Sequence, residues 1–191
     1  MKRITIALLA CIIVLAAGCN RGPKLNVDEE RGKVQQLRKE LYDKNSLLSS
    51  YDVAKEAIEK FRAFGQNFPE DSLALPFHIE AAEIAWTLGE YRLSVEIYEE
   101  IAELHPDSDS MPYVYTRLGS IYNDKLKEPE TAEKYYSIVV EQYLAWSEFF
   151  PSAKFGLETL GMSEDEQFRV ILRKQAEAEA KAKVAESAEQ K

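Results

Sequence analysis

The chain predicts an all-α fold: an α-solenoid of stacked helical hairpins, about three units long, closed by a capping helix. Three observations carry the prediction. No segment alternates apolar and polar residues over the length of a strand, and proline or glycine falls at the joints. Apolar residues recur at three- and four-residue spacings through most of the chain. Ser-x-x-x-Pro occurs at Ser72–Pro76, Ser108–Pro112 and Ser147–Pro151, displaced by 36 and 39 residues. Such a period belongs to hairpins too thin to bury their own apolar face, which stack into a continuous core.

Residues 1–18 read as a secretory leader. Lys2 and Arg3 precede an apolar run over 4–14, and Leu15-Ala16-Ala17-Gly18 leads to Cys19. The run is shorter than the roughly 20 apolar residues that span a bilayer. Ala16-Ala17-Gly18-Cys19 resembles the lipobox of bacterial lipoproteins, with Leu15 four residues before the cysteine where the family has leucine three before. The resemblance implies cleavage ahead of Cys19, a diacylglycerol on its thiol and an acylated amino terminus, hence a membrane tether that does not span. Cys11 leaves with the leader, so no thiol remains for a disulfide, a metal or nucleophilic catalysis. The leader holds Lys2, Arg3 and no acid, so its loss takes the net charge from −9 to −11. No basic stripe exists to neutralise phosphates, which argues against nucleic acid as a partner.

After the lipidated cysteine, residues 19–27 carry Gly22 and Pro23 without periodicity and read as a flexible tether. The helical domain is expected over 28–172. Val34, Leu37, Leu41 and Tyr42 mark a first helix, residues 45–51 a turn, and Ala54, Ala57, Ile58, Phe61 and Phe64 a second helix. By resemblance to the tetratricopeptide repeat, Ala82, Ala85, Gly89, Tyr91, Ser94, Tyr98, Ile101 and Pro106 mark the next hairpin. The same resemblance marks Leu118, Gly119, Tyr122, Ala132, Tyr136 and Val139 in the one after, with one extra residue in its turn and Pro129 opening its second helix. Phe155, Leu157 and Leu160 give a further helix ended by Gly161. Ser163-Glu164-Asp165-Glu166 is a capping box opening a last helix, with Phe168, Ile171 and Leu172 on its packing side. Residues 173–191, rich in Ala, Glu and Lys, read as a solvated helical or disordered tail.

These hairpin residues resemble the tetratricopeptide repeat, and the unit over about 75–108 matches its spacing best. More broadly the chain is similar to small envelope lipoproteins of Bacteroidetes-type bacteria. The matching features are Ala81-Ala82, Leu88-Gly89-Glu90-Tyr91, Ile121-Tyr122-Asn123 with Leu126, and Leu160-Gly161-Met162-Ser163. The repeats alone more distantly resemble the lipoprotein of the outer-membrane β-barrel assembly machine. Small residues suit close helix crossings, where a larger side chain pushes the backbones apart.

Catalytic chemistry is not expected. The two histidines, His78 and His105, lack a second His or Cys at ligand spacing, and both read as surface or cap residues. No serine sits in a nucleophile-elbow context, and the glycines are too dispersed to cradle phosphate. No metal and no cofactor are expected. In the repeat family the first helix of each unit lines a binding groove. The resemblance places Ile79, Glu80, Glu83, Trp86 and Thr87 there from one unit, and Tyr113, Thr116, Arg117, Ser120, Asn123 and Asp124 from the next. Trp86 either anchors that groove or packs beneath the Tyr91 turn. Trp146 reads as filler between units. The expectation is a non-catalytic adaptor for an envelope protein segment bearing basic and apolar side chains, with outer-membrane protein assembly one setting. A cell-wall or division accessory and a small glycan-binding lipoprotein are the alternatives. Asn20 after Cys19 resembles the outer-membrane-sorted class, and the basic Arg21 and Lys24 differ from surface-export signals, so a periplasm-facing position is expected.

Overall fold

A computed structural model describes residues 25–43, 51–143 and 147–189, and all of the described elements are helical. They are α1 (Val27–Asp43), α2 (Tyr51–Asn67), α3 (Ala74–Thr87), α4 (Tyr91–Leu104), α5 (Met111–Ser120), α6 (Pro129–Gln142), α7 (Phe150–Glu158) and α8 (Glu164–Glu189). A π-helical stretch, Ile121–Leu126, continues α5. From α1 to α7 each helix packs on the next, and α5 also packs on α7. This is an all-α array of helical hairpins. Cys19, Trp146 and the tether up to residue 24 lie outside the described residues.

Local chemistry sets the helix ends. Asn26 Oδ1 accepts from the Asp28 amide at 3.0 Å, and Asp28, Glu29 and Glu30 occupy the first turn of α1. The expected capping box forms at α8: Glu166 Oε2 accepts from the Ser163 amide at 2.8 Å, while Ser163 Oγ accepts from the Glu166 amide at 3.4 Å. Gly89 ends its hairpin's first helix with φ +78°, where an L side chain is strained.

The repeat is real, but its phase differs from the Ser-x-x-x-Pro reading. Asp71, Ser108 and Ser147 hold equivalent places: each carbonyl accepts from the amide three residues on, and each side chain accepts from the amide two residues on. Asp71 thus holds the place that the Ser-x-x-x-Pro spacing gave to Ser72, and the first displacement is 37 residues. Carboxylate and hydroxyl both close such a turn, so the motif slid by one. The extra residue of the following unit enters the π-helical stretch. The Glu90 amide donates to the Ala85 carbonyl, whereas the equivalent Glu128 amide reaches back one residue further, to Tyr122. Lys127 then takes the left-handed φ of 59° that Gly89 takes one unit earlier. Ala132 and Tyr136 thereby stay in the register of Ser94 and Tyr98.

The core runs the length of the array, from Val34 and Leu41 through Phe61, Phe77, Ala82, Ile97, Tyr98, Leu118 and Ile121 to Val139 and Ala153. Ser94 is buried and donates to the Ala82 carbonyl at 2.9 Å, which explains a hydroxyl at a close crossing. Ionic ties join successive units: Arg31 to Asp71, Arg38 to Glu80 at 3.0 Å, Lys55 to Glu90 at 2.6 Å, and Arg62 to Glu100.

Two expectations are corrected. His78 is a fully buried core residue. It fills the space left by Gly65, where an added Cβ would lie 2.6 Å from its ring. Its Nε2 is 3.4 Å from Glu100 Oε2, yet neither ring nitrogen has a hydrogen-bond partner. Burial holds its pKa below the ordinary histidine value, outweighing Glu100, while His105 and Arg62 also disfavour its charge. The unfolded chain thus takes up a proton that the folded chain resists. Stability is full above the unfolded pKa and falls as pH drops toward the depressed folded value. The His78 contribution to that slope is at most about 1.4 kcal/mol per pH unit. Urea titrations between pH 7 and 5 should show a shallower fall for His78→Gln than for the wild type; equal slopes would place the effect elsewhere.

The second correction concerns α8. Phe168, Ile171 and Leu172 are 58%, 39% and 48% exposed. The inner side of α7 is already filled, because Gly156 faces the Tyr136 ring. What α8 does meet is mainly polar: Gln167 reaches Asp124, Lys174 pairs with Glu158, and Lys125 approaches Glu164.

Candidate functional site

The first helices of successive hairpins, α1, α3, α5 and α7, line one face, and the residues expected to form a groove lie along it. At its centre Glu83 joins α3 to α4 and α5. Arg117 donates from Nε at 2.7 Å to Oε1 and from Nη2 at 2.8 Å to Oε2, a two-pronged pair. The Tyr98 and Tyr113 hydroxyls also donate to Glu83. Burial and then the Glu83 charge push the Tyr98 hydroxyl far above its ordinary value, and burial with the same carboxylate raises Tyr113. Both phenols therefore stay protonated as donors. The Arg117 guanidinium lies 4.8 Å over the Trp86 ring, which puts half-buried Trp86 on the side facing α5.

A cleft lies on either side of this cluster. Between α1 and α3, about 430 Å³ is lined by Arg38, Tyr42, Pro76, Phe77 and Glu80 among others. Burial, and then Glu80, raise the Tyr42 hydroxyl to about 12. The second cleft, about 500 Å³, lies among α5, α7 and α8. Thr116, Arg117, Ser120, Asn123 and Asp124 line it, with Phe155, Gln167 and Ile171 opposite.

The structure thus brings most of the expected residues to these clefts or the cluster between them. Thr87 is exposed and donates to the Glu83 carbonyl, whereas Ile79 packs against the core. Asn123 is buried at 3% exposure. Its Oδ1 accepts from the Gly161 amide at 2.9 Å, and its Nδ2 donates to Asp124 at 2.9 Å, so it holds the α7–α8 joint. Arg38, Tyr42, Phe155, Gln167 and Ile171 went unread as site residues. The i,i+4 pair Arg38/Tyr42 on α1 was a usable signal, whereas the α8 contribution depends on a long-range docking angle.

Among the described residues no group of three or more His, Cys, Asp or Glu is placed to hold a metal ion, and no helix is long and apolar enough to cross a membrane. Comparison with protein-family models, with curated proteins and with solved structures yields no match for the chain.

Proposed function

We propose that the protein is a non-catalytic adaptor, tethered to the bacterial outer membrane by lipid on Cys19 and facing the periplasm, that binds a protein segment along the α1–α3–α5–α7 face. One observation carries the reading. This face is built from charged and aromatic side chains held in fixed positions around Glu83, with an open cleft on each side, where an array needing only stability would close apolar seams. The tetratricopeptide-like spacing and the lipobox-like leader agree with it. A part in outer-membrane protein assembly is the setting we favour.

Photocrosslinking in intact cells tests the reading. A benzophenone amino acid in place of exposed Thr87 should give discrete protein adducts, and one in place of Glu133, exposed on α6, should give far fewer. Cys19→Ser should abolish fatty-acid labelling and weaken the Thr87 adducts. Equal adducts from both positions would remove the face from the interaction, and unchanged labelling would remove the anchor.

A further inference from the structure

We infer that the cleft among α5, α7 and α8 is a subsite for a lysine side chain of the bound protein segment, with its ammonium on Asp124. The inference takes from the adaptor reading only that the lysine belongs to a protein.

The charge balance points to a cation. Arg117, the cationic residue lining the cleft, is committed to Glu83. Asp124 has no ion-pair partner among the described residues. Its oxygens accept instead from three neutral groups: Asn123 Nδ2 at 2.9 Å and Gln167 Nε2 at 3.0 Å on Oδ1, and Ser120 Oγ at 3.2 Å on Oδ2. The donors come from α5, its π-helical continuation and α8, so the carboxylate is fixed in place while its charge stays uncompensated.

The same contacts select lysine over arginine. A carboxylate offers about four acceptor directions, and three are filled, leaving one on Oδ2. A guanidinium fork needs both oxygens open, whereas an ammonium can place one of its three donors on Oδ2 and turn the others to nearby hydroxyls. Phe155 and Ile171 provide an apolar wall for the four-carbon stem. The Phe155 ring already takes one lysine: Lys174 Nζ lies 5.8 Å from its centroid, with its charge met by Glu158.

The test is amide NMR of the ¹⁵N-labelled protein titrated with the blocked pentapeptide Gly-Leu-Lys-Leu-Gly and with versions carrying arginine or norleucine instead of lysine. The lysine peptide should move the Ser120, Asp124, Phe155, Gln167 and Ile171 resonances. Norleucine should bind about tenfold more weakly or not at all, and arginine more weakly than lysine. Asp124→Asn should lose about tenfold in affinity for the lysine peptide. Ser152→Arg, at an exposed position of the cleft, should block it without touching the core. Norleucine binding as well as lysine, arginine binding as well as lysine, retained affinity in both variants, or resonance changes elsewhere would each overturn the assignment. Thr87 adducts that persist in Asp124→Asn cells alongside such a result would sink the lysine subsite and leave the adaptor standing. Lysine-peptide binding without any cellular adduct would do the reverse.

Discussion

Gly119→Ala and Gly156→Ala should each lower the unfolding free energy by about 3 kcal/mol, the upper end of the usual cost of overpacking. An added Cβ at Gly119 would stand 2.6 Å from the Tyr136 ring, and one at Gly156 would meet the same ring closer still. Tyr136 is 4% exposed and lies between the two glycines, so a shift that relieves one contact worsens the other. The ring has nowhere to go. Once the first alanine has displaced it, the second should cost less, so the double variant should fall short of additivity. In a Tyr136→Leu background Gly119→Ala should cost under about 1 kcal/mol. Urea unfolding of the five variants, Tyr136→Leu alone included, measures this. Additive losses that persist without the tyrosine ring would mean the glycines serve some other contact.

Phe61→Ala should cost about 3–5 kcal/mol. Phe61 is fully buried and meets Phe77 with ring centroids 4.7 Å apart. Phe64 lies 5.9 Å from Phe77 and 5.3 Å from Phe68, so four aromatic rings close the seam between the first and second hairpins. Loss of one leaves a cavity its neighbours fill only in part. Stacked units communicate through nearest neighbours, so amide exchange should quicken first in α1 to α3, with α6 and α7 least affected. A loss below about 1 kcal/mol, or uniform quickening, would show that this seam does not join the two hairpins.

Much of the architecture was legible, because helix periodicity and small residues at crossings are local signals. Ala82, Ser94, Gly119, Ala132 and Tyr136 were placed by the repeat resemblance, and all are buried. The phase of the repeat was less legible: Asp71 and a serine close the same turn, and a π-helical stretch hides an extra residue without leaving a gap. His78 was misread because histidine is ambivalent toward burial, and only the absent side chain of Gly65, thirteen positions earlier, shows that the core has room for it. The candidate site came through in part. Glu83, Arg117 and Asp124 were named from their places on the first helices. Their roles depend on long-range partners: Tyr98 and Tyr113 for Glu83, Gln167 for Asp124. The apolar positions of α8 were assigned inward because amphipathicity reports that a face exists, not what is left to cover it.

The polar docking of α8 has a practical consequence for labelling and fusion. The helix runs 26 residues, about 39 Å at 1.5 Å per residue, and its described ties to the body end at Lys174. The remainder, from Gln175 to Glu189, extends about 22 Å further as helix, exposed wherever its side chains are described. A fluorophore or affinity tag attached past Glu189 is thus carried on a helical spacer of about 22 Å, clear of both clefts, so C-terminal reporters should leave peptide binding undisturbed. The same reporter joined near Ser163 would sit at the hinge of the helix that supplies Gln167, and would disturb it.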